Sequence, residues 1–136
     1  MPLEDPAVAE QSEVYESLDL ALRIGEVLVS SGAGAADVAA TMLGVTGACG
    51  VRNVTADVTW VDLILRHQPS SQEPAAIQMR RVGRRPVDYA DLIEVDRIVQ
   101  DLVAGDITRD EARDQVARIV STGHIRHRWA VTSAGE

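Results

Sequence analysis

The chain has 136 residues, a mass of 14.6 kDa, 46% apolar residues and a formal net charge of −8 at pH 7, which together indicate one globular domain. All thirteen basic residues are arginines, so chemistry that depends on a lysine Schiff base or a phosphate-loop lysine is excluded. One cysteine, Cys49, permits no internal disulfide, and the acidic balance disfavours nucleic acid as a partner. No motif predicts a cofactor or a metal site.

The N-terminal part predicts a tail followed by two helices. Residues 1–11 are acidic and contain two prolines, which indicates a flexible acidic tail. From Ser12 the periodicity is helical as far as Ser30, with a wide apolar sector and one polar arc. A second helix is predicted over residues 35–46. The polar arc of the first helix consists of Glu16, Asp19, Arg23 and Glu26. The second helix is expected to approach the first closely through its small residues, which are Ala36, Ala39, Ala40 and Leu43.

The middle of the chain changes to the two-residue period of β-strands. Val54, Ala56 and Val58 alternate with polar residues, but the same parity would turn Asp62 inward. A tight turn or bulge at residues 60–62 restores the apolar face, so the pattern predicts two strands. Residues 75–82 read as a third strand, and the sheet is expected to be small and antiparallel.

Two further helices are predicted after the sheet. The first begins after Asp88 as its N-cap and ends at Gly105. The second opens with a capping box formed by Thr108 and Glu111, and Gly123 is expected to end it. The fold class is therefore α+β, with two N-terminal helices, about three antiparallel strands and two C-terminal helices. One core cluster is expected to include Leu22, Leu43, Val58, Val95 and Val116.

Charged residues of the strands are the candidates for a ligand site. A free amino acid needs a carboxylate for its ammonium group and a cation for its carboxylate, and pairing of Asp57 or Asp62 with Arg80 or Arg81 across strands could supply both. Because Thr55, Asp57 and Thr59 form one polar row, a solvated sheet face is the favoured explanation of the two aspartates over an acid/base pair. Four arginines form the densest basic patch, which could bind anionic groups or act as a charged turn: Arg80, Arg81, Arg84 and Arg85.

Other reactive side chains have ordinary structural explanations. Cys49 has no histidine nearby in sequence and is expected to be a small buried residue. His124 and His127 are spaced for metal binding but lack further ligands, so a solvated C-terminal segment is expected. An enzyme remains an alternative if Asp57, Asp62 and His67 converge in a pocket, as a small hydrolase would require.

The order of motifs resembles one family. In chain order, the motifs are residues 22–28, the stop at residues 31–33, the segment Gly47 to Gly50, the Thr/Asp-rich hairpin, residues 79–82, the segment Asp88 to Gly105 and residues 107–112. In this order they are similar to the N-terminal domain of the threonine/serine exporter family, over about residues 14–122. The resemblance implies a cytoplasmic domain at the bacterial inner membrane that precedes a helical membrane domain. This sequence does not include that membrane domain. The chain is therefore expected to be either an excised domain or one chain of a split transporter.

The resemblance divides the chain into a tail at 1–11, an exporter-family domain at 12–122 and a juxtamembrane linker at 123–136. In that linker, Arg126, Arg128 and Trp129 are typical of a membrane boundary, and an ordinary charged tail explains them equally. It implies a non-catalytic role in assembly, gating or sensing. The expected partners are a membrane domain, threonine or serine, and further copies of the chain associating through a sheet edge or the second helix. A free-standing homodimeric regulatory module is a second alternative.

Overall fold

The computed structural model describes residues 6–83 and 86–120. The predicted α+β architecture is confirmed, with helices packed on one face of a three-stranded antiparallel sheet of order β1-β2-β3. The elements are α1 (Pro6–Ser30), α2 (Ala35–Ala48), β1 (Val54–Val58), β2 (Asp62–His67), β3 (Ala76–Arg81), α3 (Tyr89–Ala104) and α4, which covers 109–120.

The first helix begins earlier than the sequence predicts. It starts at Pro6 rather than Ser12, so the expected tail is wrong for residues 6–11. A proline in the first turn of a helix loses no hydrogen bond, because that N–H has no partner within the helix. Residues 1–5 of the predicted tail and the predicted linker at 123–136 lie outside the described residues.

The predicted change of strand parity is confirmed. Thr59 N–H donates to the Asp62 carbonyl at 2.9 Å, and Thr59 Oγ1 accepts from the Asp62 amide at 2.9 Å, which closes the turn between β1 and β2. Val58 therefore pairs with Leu63, and both face the helices. The turn allows both strands to bury their apolar residues although their parities differ.

Helix α2 uses a different face from the predicted one. Its buried residues are Val38, Met42, Val45 and Thr46, whereas Ala36, Ala40 and Leu43 are exposed. Almost every position of α2 is small or apolar, so the sequence has no polar arc that selects the outer face.

The close approach between α1 and α2 occurs instead at Gly25. A Cβ atom at that position would lie 2.7 Å from Met42 Sδ and 3.1 Å from Leu63 Cδ1. The absence of a side chain at Gly25 therefore lets α1 pack against both α2 and the sheet.

The core cluster is confirmed except at one position. Leu22, Val95 and Val116 are buried together, and Val58 packs against them. Leu43 is 36% exposed and does not belong to the cluster, because it lies on the face of α2 that points away from the core.

The ends of the C-terminal helices that lie within residues 86–120 are as predicted. Gly105 adopts the left-handed conformation at φ 83° after α3. Glu111 N–H donates to Thr108 Oγ1 at 3.1 Å and Thr108 N–H donates to Glu111 Oε1 at 3.0 Å, which is the predicted capping box. The predicted stop at Gly123 lies outside the described residues.

Candidate functional site

The two adjacent arginines of β3 point to opposite faces of the sheet. Arg80 lies on the inner face with Ala76 and Gln78, and Arg81 lies on the outer face with Ile77 and exposes 81% of its side chain. Successive residues of a strand always alternate in this way. One ligand therefore cannot engage both arginines from the same side.

Arg80 is held by Glu26 of α1 beneath the sheet. Its Nε lies 3.1 Å from Glu26 Oε1, and the Gly83 amide donates to Glu26 Oε2 at 3.0 Å. The Glu26 side chain is only 10% exposed, so its charge is stabilised by these donors rather than by bulk water. The carboxylate joins α1 to the end of β3 and to the segment leading towards α3, which is a structural use of Arg80.

Asp62 and Arg81 meet on the outer face, at the start of β2 and the end of β3. Their paired positions bring Asp62 Oδ1 to 3.6 Å from Arg81 Nε, a distance that permits charge attraction but exceeds a hydrogen bond. This is the predicted cross-strand pair of an aspartate with an arginine. Because Arg81 is largely solvated, the pair forms a surface contact and not a pocket.

Asp57 does not meet either arginine. It lies exposed on the outer face of β1 opposite Ile64, and β2 separates it from β3. Neighbouring strands are about 4.8 Å apart, so Asp57 lies roughly 10 Å from the backbone of β3. It makes none of the ion pairs found among the described residues.

The three residues of the enzyme alternative are divided between the two faces. Asp57 and Asp62 face outward, whereas His67 is buried on the inner face with Leu63 and Leu65. His67 Nδ1 is buried and has no hydrogen-bond partner among the described residues. The convergence that acid–base chemistry requires is therefore not formed by this set.

Cys49 follows α2 as its C-cap and is half-buried. Burial is the main effect on this thiol and raises its pKa, although a hydrogen bond with Ser17 and the charge of Arg109 act in the opposite direction. A raised pKa keeps the thiol protonated at neutral pH, which disfavours nucleophilic chemistry.

A cavity of about 350 Å³ lies between the end of α2 and the start of β1, away from these charges. Its only charged lining residue among those described is Arg52, and no carboxylate lines it. The cavity therefore supplies a cation without the carboxylate that an amino-acid ammonium group needs. Its lining is Leu43, Thr46, Gly47, Val51, Arg52, Asn53 and Val54.

Several predicted features lie outside the described residues, namely Arg84 and Arg85 of the basic patch, and His124 and His127. Within residues 6–83 and 86–120, no group of three or more metal-ligating side chains comes together. No helix in these ranges is long and apolar enough to cross a bilayer.

The sequence does not predict the pair that the buried Glu26 forms with the half-buried Arg80. The helical pattern puts Glu26 on the polar arc of α1, but residues of α4 and β3 form ion pairs with that arc. Arg109 and Arg113 of α4 approach Glu16 at 2.9 and 3.4 Å. One signal was available: Glu26 lies between Ile24 and Val27 in a helix whose apolar sector is too wide for a surface helix.

The described part of the chain is thus an α+β domain in which both Arg80 and Arg81 pair with carboxylates of its own elements. Comparison with known proteins adds the family: the chain matches the threonine/serine exporter family (ThrE) over residues 19–135 and belongs to it. This match confirms the resemblance seen in the sequence.

Two curated relatives are also named as threonine/serine exporters. The chain is 34% identical over 116 residues to a "Probable threonine/serine exporter" of Mycobacterium tuberculosis, with 85% of this chain aligned. It is 28% identical over 105 residues to a "Threonine/serine exporter" of Corynebacterium glutamicum, with 76% aligned. The chain spans about a fifth of the length of these relatives, 22% in each case. No solved structure matches it.

Proposed function

We propose that this chain is a non-catalytic accessory domain of a threonine/serine exporter at the cytoplasmic face of the bacterial inner membrane. It acts by assembly or gating and does not hold the transported amino acid. The observation that carries this proposal is the division of the candidate charges: Arg80 is bound by Glu26 inside the fold, while Asp62 meets the largely solvated Arg81 on the other face.

Family membership supports the exporter context, and the aligned fraction supports an accessory role. The two relatives are more than four times as long as the aligned segment, so most of each exporter lies outside the part that this chain resembles. The lack of a paired acid and cation in the cavity favours a substrate site in the rest of such a protein.

The proposal is tested by threonine efflux from cells of the native host. Deleting the coding region for this chain should lower the maximal efflux rate, and the wild-type chain should restore it. Asp62→Ala and Arg81→Ala should restore efflux equally well with an unchanged half-saturating threonine concentration. Efflux unaffected by the deletion would refute the accessory role, and a shifted half-saturation in Asp62→Ala would show a substrate site.

A further inference from the structure

Strand β3 exposes its apolar side chains at the edge of the sheet. Ile77 and Met79 are each 62% exposed on the outer face, next to the half-buried Ile64 of β2. At the opposite edge, β1 presents Thr55 and Asp57 on the same face. Apolar character therefore rises towards the free edge of β3, which indicates a partner that extends the sheet there.

The backbone groups of β3 show which residues could bond such a partner. Val82 N–H donates to the Val61 carbonyl at 2.8 Å, towards β2. Because these groups alternate along an edge strand, the even-numbered residues of β3 bond β2, and the N–H and C=O groups of Ile77, Met79 and Arg81 point away from it. In the sheet formed by the described residues, β3 pairs only with β2.

We propose that β3 pairs antiparallel with β3 of a second copy of this chain. Gln78 lies opposite Gln78 of the second copy at the twofold axis, and Ile77 lies opposite Met79 on each side of that axis. The two sheets then form one sheet of six strands. This pairing requires the same surface patch on both copies, as a twofold dimer does.

Face matching supports this register. Directly opposed residues of an antiparallel pair point to the same face, so an outer residue must pair with an outer residue. With Gln78 at the axis, Ile77 and Met79 exchange their outward N–H and C=O groups as a hydrogen-bonded pair. The four apolar side chains of the two copies then form one continuous patch on the outer face.

The proposed register keeps like charges apart. Arg80 lies opposite Ala76 of the second copy, and Arg81 lies opposite Ala75, two positions from the exposed Glu73. Sliding the strands until Arg80 opposes Arg80 would instead place like charges together, which is destabilising. The pairing is independent of the exporter role, since it depends only on the strand edge and could equally serve a free-standing module.

Disulfide trapping tests the register in the 136-residue chain. In a Cys49→Ser background, Gln78→Cys should form a disulfide-linked dimer under mild oxidation, because residues opposed across an antiparallel pair have Cβ atoms about 5 Å apart. Ala76→Cys is the matched control on the same strand and face. Its two copies would be four residues out of register, roughly 13 Å apart, and should stay unlinked.

Light scattering at high protein concentration provides a second measurement. The wild type should be a dimer, Ile77→Lys with Met79→Lys should be a monomer, and Ile93→Lys should remain a dimer, since Ile93 is an exposed isoleucine on α3. Melting curves confirm that each variant is folded. A monomeric wild type, a dimer that survives both lysines, or linkage of Ala76→Cys as fast as Gln78→Cys would overturn the proposal.

Discussion

Arg80 and Arg81 are neighbours in the chain, yet the fold uses them in different ways. Arg80 reaches a carboxylate that is 10% exposed, whereas Arg81 reaches Asp62 from a side chain that is 81% exposed. The inner pair joins α1 to β3 across 54 positions of the chain, and the outer pair joins two adjacent strands. The same ion-pair chemistry is therefore structural on one face and marginal on the other.

The largest difference in stability between the two faces of the sheet should appear when one apolar residue on each face is replaced by alanine. Leu65→Ala, at a fully buried inner position, should lower the free energy of unfolding by about 2 to 5 kcal/mol. Ile77→Ala, on the outer face of β3, should change it by less than about 0.5 kcal/mol in dilute protein. Urea denaturation of both variants measures the difference, and equal losses would show that the two faces are not distinct.

Removing Arg80 should have the next largest effect. Arg80→Ala leaves the buried Glu26 carboxylate with fewer donors, and we expect a loss of about 3 kcal/mol, within the range for breaking a buried pair. A double-mutant cycle with Glu26→Ala isolates the coupling between the two side chains. Additive losses would contradict a direct interaction.

Close packing beneath the inner face of the sheet predicts a smaller loss of unfolding free energy than removal of Arg80. Gly25→Ala would place a Cβ 2.7 Å from Met42 Sδ, and the shift required should cost about 1 to 3 kcal/mol. Gly44→Ala in α2 is the matched control, because nothing lies within 4 Å of its Cβ position. That control should stabilise the protein by about 0.5 to 1 kcal/mol through helix propensity. A neutral Gly25→Ala in thermal melts would show looser packing than the structure has.

The smallest effect is expected from the outer ion pair. Arg81→Ala should lower the free energy of unfolding by less than about 1 kcal/mol, and the loss should shrink further as salt is added. Urea titrations at low and high ionic strength provide the measurement. A loss as large as that of Arg80→Ala would remove the contrast between the two faces.

Local sequence signals predicted the elements well where one physical rule decides the outcome. The parity change between Val58 and Leu63 required a turn, and Thr59 closes it. Glycine after α3 and the reciprocal bonds of Thr108 and Glu111 follow directly from helix-end chemistry.

The sequence is less informative about which face of an element is buried, because contacts with other elements decide this. Helix α2 is apolar on all sides, so its sequence does not distinguish Leu43 from Met42. Strand β3 alternates regularly but turns the polar Arg80 inward and the apolar Ile77 outward, and Glu26 of α1 pairs with Arg80 beneath the sheet. The pairing of the candidate charges follows from the sequence only in part. Asp62 meets Arg81, but the position of Asp57 depends on the strand order and that of Arg80 on a partner distant in sequence.

The central claim is that Asp62, Arg80 and Arg81 stabilise the fold and do not hold a substrate. Titration calorimetry with threonine and serine tests it most directly. At millimolar ligand, the wild-type chain should give no heat beyond dilution, and its melting temperature should stay unchanged. Saturable heat that Asp62→Ala or Arg81→Ala abolishes in a folded variant would contradict the claim and place the amino-acid site on the outer face of the sheet.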